Sequence, residues 1–155
     1  MAPAPLLPRS AVRFGFLGLM PLVISALVTL SDAPEVAHMG GLSFSIYAAA
    51  LLSFLGGVRC GIEITIAPEA PNGLRLFFSA LPALSGWALT LFIVITGALG
   101  AAAAFAGLFA AQYMWDHKSA RTGAPTWYPL LRQVLTGGAM IACILLPLAS
   151  ALRRF

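Results

Sequence analysis

Charge is what this sequence has least of. Of its 155 residues only 9% are Asp, Glu, Lys or Arg, against 60% apolar residues, and the mean hydropathy is +0.93. Soluble domains carry about 25% charged and about 45–50% apolar residues, so an ordinary soluble domain is excluded. A disordered chain needs the opposite balance and is excluded too. Cysteine is nearly as scarce. Cys60 and Cys143 stand without a CxxC or a nearby histidine pair, so neither a metal site nor a dithiol redox motif is expected. Both read as small buried apolar residues. The standard enzyme signatures, a Walker loop, HExxH or GxSxG, are absent. The sequence therefore predicts a non-enzymatic protein with no cofactor. The net charge of +4 comes without any basic run longer than Arg153-Arg154, so nucleic acid is not an expected partner.

What is present is long apolar sequence. Residues 14–31, 36–58, 76–115 and 133–152 contain no charged side chain. A bilayer core of about 30 Å needs about 20 helical residues, and backbone in lipid must satisfy its own hydrogen bonds. These runs lack the period-two alternation of a membrane β-barrel. The expected fold is thus an all-α polytopic membrane bundle in which the lipid bilayer is the first partner. Residues 1–13 form an N-terminal cytoplasmic tail and 14–155 a single transmembrane domain. The start resembles a signal peptide in outline, but its apolar run is too long and ends in no A-x-A site, so it reads as a retained helix.

The run 76–115 would measure about 60 Å as one helix, twice the hydrocarbon thickness. It must fold back, and Thr96, Gly97 and Gly100 mark the best place. That makes five spans, near 14–31, 41–66, 74–94, 98–115 and 133–151, with Pro21 expected to kink the first. Ser31–Glu35 reads as a polar turn, His38 as a solvated loop residue, and Ala67–Gly73 as the strongest breaker. With the N-terminus inside and the C-terminus outside, Arg9, Arg13, Arg59, Arg75, Lys118, Arg121 and Arg132 all fall inside, as the positive-inside rule requires.

Within this frame three groups of side chains stand out. Ser45, Ala49, Ser53, Gly57 and Gly61 recur every four residues in the second span. They predict a helix-packing face, used inside the bundle or against another subunit or a second copy of the chain. Arg59 and Glu63 are one turn apart and are expected to pair. With Gln112, Asp116 and Arg132 they make a polar cluster near one boundary, either an interfacial anchor or an inward-facing site. Trp115, Trp127 and Tyr128 fit an aromatic belt at that level. Asp116 beside His117 invites an acid–base reading, but no nucleophile is placed near it.

The stretch from Tyr47 through Ser53-Phe54-Leu55-Gly56-Gly57-x-Arg59 to Gly61 resembles the principal motif of the transmembrane protein 69-like family. Cys60 stands where members usually carry Trp. Gln112-Tyr113-x-x-Asp116, the stretch from Ala124-Pro125-Thr126-Trp127-Tyr128 to Leu131-Arg132-x-x-Leu135-Thr136, and Leu81-Pro82-Ala83-Leu84-x-x-Trp87 are similar to further motifs of the same family. The resemblance implies a small multi-pass protein of bacterial or mitochondrial inner membranes without an established activity. For this chain it implies the bacterial inner membrane, and it supplies no catalytic residue. Two functions remain open: an accessory, assembly or structural subunit packing against other membrane helices, and a small transporter, channel or lipid-binding protein built on the polar cluster.

Overall fold

The computed structural model describes residues 7–97, 99–119 and 125–152. The expected Arg121, Arg153 and Arg154 positions and the first six residues of the tail lie outside them. Among the described residues there are five α-helices and no strand: α1 Arg9–Val28, α2 Pro34–Ile66, α3 Gly73–Thr96, α4 Ala104–Ser119 and α5 Tyr128–Leu152. A short 3-10 helix, Leu99–Ala103, precedes α4. The helices α1, α2, α3 and most of α5 are each long and apolar enough to cross a membrane. Helix α4 alone spans 16 residues, about 24 Å, and the 3-10 segment adds about 10 Å.

Boundaries follow local chemistry. Helix α2 begins at Pro34, seven residues before the expected span. Proline at the first helical position sacrifices only an N–H that has no helical partner anyway, and Glu35 in the first turn complements the helix dipole. The supposed loop is therefore helix, and His38 lies on it, exposed. At 33 residues, about 50 Å, α2 is too long for the hydrocarbon and must tilt or project beyond it. The Asn72 side chain caps α3 by accepting from the Arg75 N–H. Gly97, at φ 67°, ends α3 in the left-handed conformation that a side chain would strain. The chain turns there and starts back toward the end it came from.

Successive helices alternate in direction, so the start of α1, the end of α2, the start of α3, the end of α4 and the start of α5 share one end of the bundle. Every described Lys and Arg lies at that end, hereafter the basic end. Asp32 and Glu35 lie at the other.

The core runs along the middle of the bundle, where Leu22, Phe44, Leu52, Ile93, Phe105 and Cys143 are all essentially inaccessible. Phe44 and Phe105 meet edge to face at 6.4 Å, a favoured aromatic geometry. Cys60 and Cys143 are both free thiols. The most extensive contact joins α2 to α3. A Cβ on Gly56 would collide with the Ser79 carbonyl oxygen, and one on Gly86 would stand 2.9 Å from the Ala49 Cα. In lipid, where no hydrophobic force gathers helices, such close backbone approach is the main source of association.

The expected small-residue face divides. Ser45 is buried and Ala49 packs on Gly86, but Ser53, Gly57 and Gly61 are exposed, and nothing lies within 4 Å of a Cβ placed on either glycine. The reason is geometric. At 3.6 residues per turn each four-residue step advances about 40°, so a strict series winds off its original face. The stripe that stays buried, Gly41, Ser45, Ala48, Leu52, Gly56 and Glu63, mixes three-, four- and seven-residue steps.

Candidate functional site at the basic end

Asp116, in the last turn of α4, reaches between α2 and α5. Arg132 Nε donates to Asp116 Oδ2 at 2.9 Å and Nη2 to the same oxygen at 2.5 Å. On the other side Arg59 Nε stands 3.5 Å from Oδ1, and Gln112 Nε2 donates to Oδ1 at 3.4 Å. The side chains of Arg59, Asp116 and Arg132 are only 9%, 4% and 6% exposed. Four expected cluster residues therefore converge, from three helices, on one buried carboxylate.

The fifth does not join them. Glu63 accepts from the backbone N–H of Asn72 at 3.0 Å and from Arg75 Nη1 at 3.2 Å. The expected Arg59–Glu63 pair is not formed. Glu63 lies level with the α2–α3 turn, where an uncommitted N–H and a half-exposed arginine meet it. Arg59, a turn deeper, faces the buried Asp116. Helical spacing made the two neighbours, but each side chain is claimed by a different adjoining helix. Arg75 and Asn72 were not singled out from sequence as site residues. The available signal was an Asn cap followed three residues later by Arg, directly after a breaker.

The charge balance of the buried cluster is unequal: two guanidiniums share one carboxylate. Arg59 Nε and Nη1 are buried with no hydrogen-bond partner among the described residues. Unmet buried donors of a charged group are costly. Asp116 is engaged on both oxygens, which leaves it poorly suited to act as a free base.

Aromatic side chains surround this level. Trp115 packs on Phe78 at 5.0 Å, Tyr113 on His117 at 5.9 Å, and Trp127 on Tyr128 at 6.3 Å. Beside them a groove of about 500 Å³ opens between α1, α2 and α5, with Trp127, Tyr128 and Arg132 at its head and apolar walls that include Phe14, Leu51, Phe54 and Leu135. Helices α1 and α5 close its floor where Gly15 meets Leu135 and Leu19 meets Gly138. Tyr47 also lines the groove. Its hydroxyl donates to the Gly18 carbonyl at 2.8 Å, one residue past the carbonyl that Pro21 leaves without an amide partner.

Comparison with known proteins agrees with this picture of a membrane bundle. Residues 7–148 match the model of a family described as "Protein of unknown function (DUF3429)". A curated relative, transmembrane protein 69 of Xenopus tropicalis, is 33% identical over 150 residues, covering 88% of this chain and 53% of that protein. The chain thus spans about half the length of the relative it matches. No solved structure matches.

Proposed function

For a chain that belongs to the DUF3429 family and is related to transmembrane protein 69, a membrane protein of unknown function, we propose a non-enzymatic role as an accessory or assembly subunit that packs against another membrane helix. The observation that carries this reading is the uncovered half of the small-residue series on α2. Ser53, Gly57 and Gly61 are exposed, with open space over both glycines. The Ser53 hydroxyl is already satisfied by the Ala49 carbonyl at 2.9 Å. Such a surface lets a second helix approach closely without leaving polar groups unmet. In this reading the basic end faces the cytoplasm of a bacterial inner membrane, with the N-terminus inside and the C-terminus outside. Reporters fused to the two termini should then give opposite signals; equal signals would overturn the topology.

The packing role is tested by the mass of the particle in lipid nanodiscs formed directly from membranes. Wild type is expected to exceed the mass of one chain. Gly57→Leu with Gly61→Leu should reduce it to one chain without lowering the melting temperature, because neither position touches a neighbour in the monomer. A single-chain mass for wild type, or an unchanged assembly in the double variant, would reject the role.

A further inference from the structure

The groove at the head of α5, between α1, α2 and α5, carries an inference separate from the helix partner. We propose that it holds one membrane phospholipid with an anionic headgroup, the phosphate at Arg132 and an acyl chain laid against α1 and α2.

The shape fits first. The groove has about 500 Å³ of space and reaches from Trp127, Tyr128 and Arg132 down an apolar channel past Gly18 and Leu51. That volume is in the range of ligand sites, and its polarity is graded as a lipid's is, with one cationic end and a long apolar remainder. A smaller pocket of about 100 Å³ shares its walls and continues past Thr136 and Phe109. Gly18 matters here because nothing lies within 4 Å of a Cβ placed on it. The missing side chain is part of the space.

Charge then selects the headgroup. Arg132 lines the groove and gives Asp116 one hydrogen from Nε and one from Nη2, so the other N–H groups of its guanidinium are uncommitted among the described residues. Behind it Arg59 adds a second buried positive charge that the shared carboxylate does not balance, with two nitrogens lacking partners. The buried cluster carries a net charge of +1, and an anion at Arg132 neutralises it. Arg13, exposed at the same end of α1, reinforces the preference. A zwitterionic lipid would bring its own cation toward a site already in excess of positive charge. The aromatic pair Trp127–Tyr128 lines the head of the groove, and such rings favour the level where headgroup meets hydrocarbon. Basic pockets between transmembrane helices are suited to anionic headgroups.

The test uses the full chain purified in mild detergent. Chain-matched phosphatidylglycerol, phosphatidylcholine and inorganic phosphate are titrated separately, and bound ligand is read by native mass spectrometry alongside the melting temperature. One phosphatidylglycerol per chain is expected, bound at least about tenfold more tightly than phosphatidylcholine and with a rise in melting temperature. Equal binding of the two lipids, or binding of inorganic phosphate as strong as that of the lipid, would overturn the proposal. Arg132→Gln should abolish the preference but disturbs the buried cluster, so Gly18→Leu provides the structural control. It fills the groove without touching the cluster and should lose the lipid by about tenfold while melting at or above wild type without lipid. Undiminished lipid binding in Gly18→Leu would reject the groove. So would a groove variant that loses a protein partner in place of the lipid.

Discussion

At the basic end of the bundle, ionised side chains join one helix to another; at the opposite end, hydroxyls bond to each other or to backbone. Asp116 ties α4 to α5 and α2, and Glu63 ties α2 to α3. Away from that end, Ser45 Oγ donates to the Gly41 carbonyl at 2.9 Å, and the hydroxyls of Ser25 and Ser43 meet at 3.0 Å. The contrast shows where this chain places its few charges and what each end loses when a partner is removed. A hydroxyl deleted from a helix leaves neighbours that can re-pair locally. A carboxylate deleted from a buried pair of guanidiniums leaves two charges with no alternative acceptor.

The largest effect is therefore expected from Asp116→Asn, which should destabilise the protein by about 3–5 kcal/mol or abolish folding. Arg132→Met, which removes the donor of both short bonds, should cost nearly as much. Arg59→Met is the sharpening control. Its Nε and Nη1 are buried without a hydrogen-bond partner and its approach to Asp116 is 3.5 Å, so relief of its desolvation offsets the lost attraction and its removal should change stability by less than about 1 kcal/mol. Reversible unfolding of the three variants in mixed micelles checks the order. An Arg59 variant as damaged as the Arg132 variant would mean that the two guanidiniums carry equal shares.

A second break concerns adjacent glycines on α2. Gly56→Ala drives a methyl group against the Ser79 backbone and is expected to cost about 1–3 kcal/mol as α2 and α3 separate. Gly57→Ala meets open space and should stabilise the isolated chain by up to about 1 kcal/mol through helix propensity. The same unfolding measurement reads both, and the two signs should differ.

These residues also show how far sequence reading reaches. The five helices were legible because charge-free runs are long, and the reversal near residue 97 because glycine interrupts an apolar run too long for one crossing. Charge at membrane depth marked Arg59, Asp116 and Arg132, and the places of Asp116 and Arg132 at the two ends of one loop made their pairing legible. The partners of Arg59 and Glu63 were not. Arg59 and Glu63 advertise each other at one helical turn, but the partners that claim them, Asp116 and Arg75, come from other helices, and only the packing angle of α4 and α5 brings residues 59, 116 and 132 together. The packing face was half legible because a regular spacing in sequence is not a straight line on a helix. The groove left no sequence signal, since it is made by the divergence of three helices and the absence of a side chain at Gly18.

Glu63 tests an intermediate case. Its carboxylate is 9% exposed but its partner Arg75 is 53% exposed, so solvent screens the pair and the arginine can turn to water. Glu63→Gln keeps an oxygen for the Asn72 N–H and should cost far less than the Asp116 variant in the same unfolding series. A cost equal to that of Asp116→Asn would remove the distinction between a buried and a screened pair.

The smallest effect is expected where hydroxyls replace charges. Thr90 Oγ1 donates to the Ser45 carbonyl at 3.1 Å, linking α3 to α2. That carbonyl can also accept within its own helix, so Thr90→Val leaves it with a partner and preserves the side chain's volume. Interhelical hydroxyl bonds in lipid contribute about 0.6 kcal/mol on average, because the competing states find partners as well. The Val variant, and Ser25→Ala beside it, should each fall within about 1 kcal/mol of wild type in unfolding. If either reached the cost of Arg132→Met, the low dielectric of the membrane would have made the hydroxyl contacts equal to the ionic ones. The division between the two ends would then rest on which helices are joined and no longer on the kind of bond that joins them.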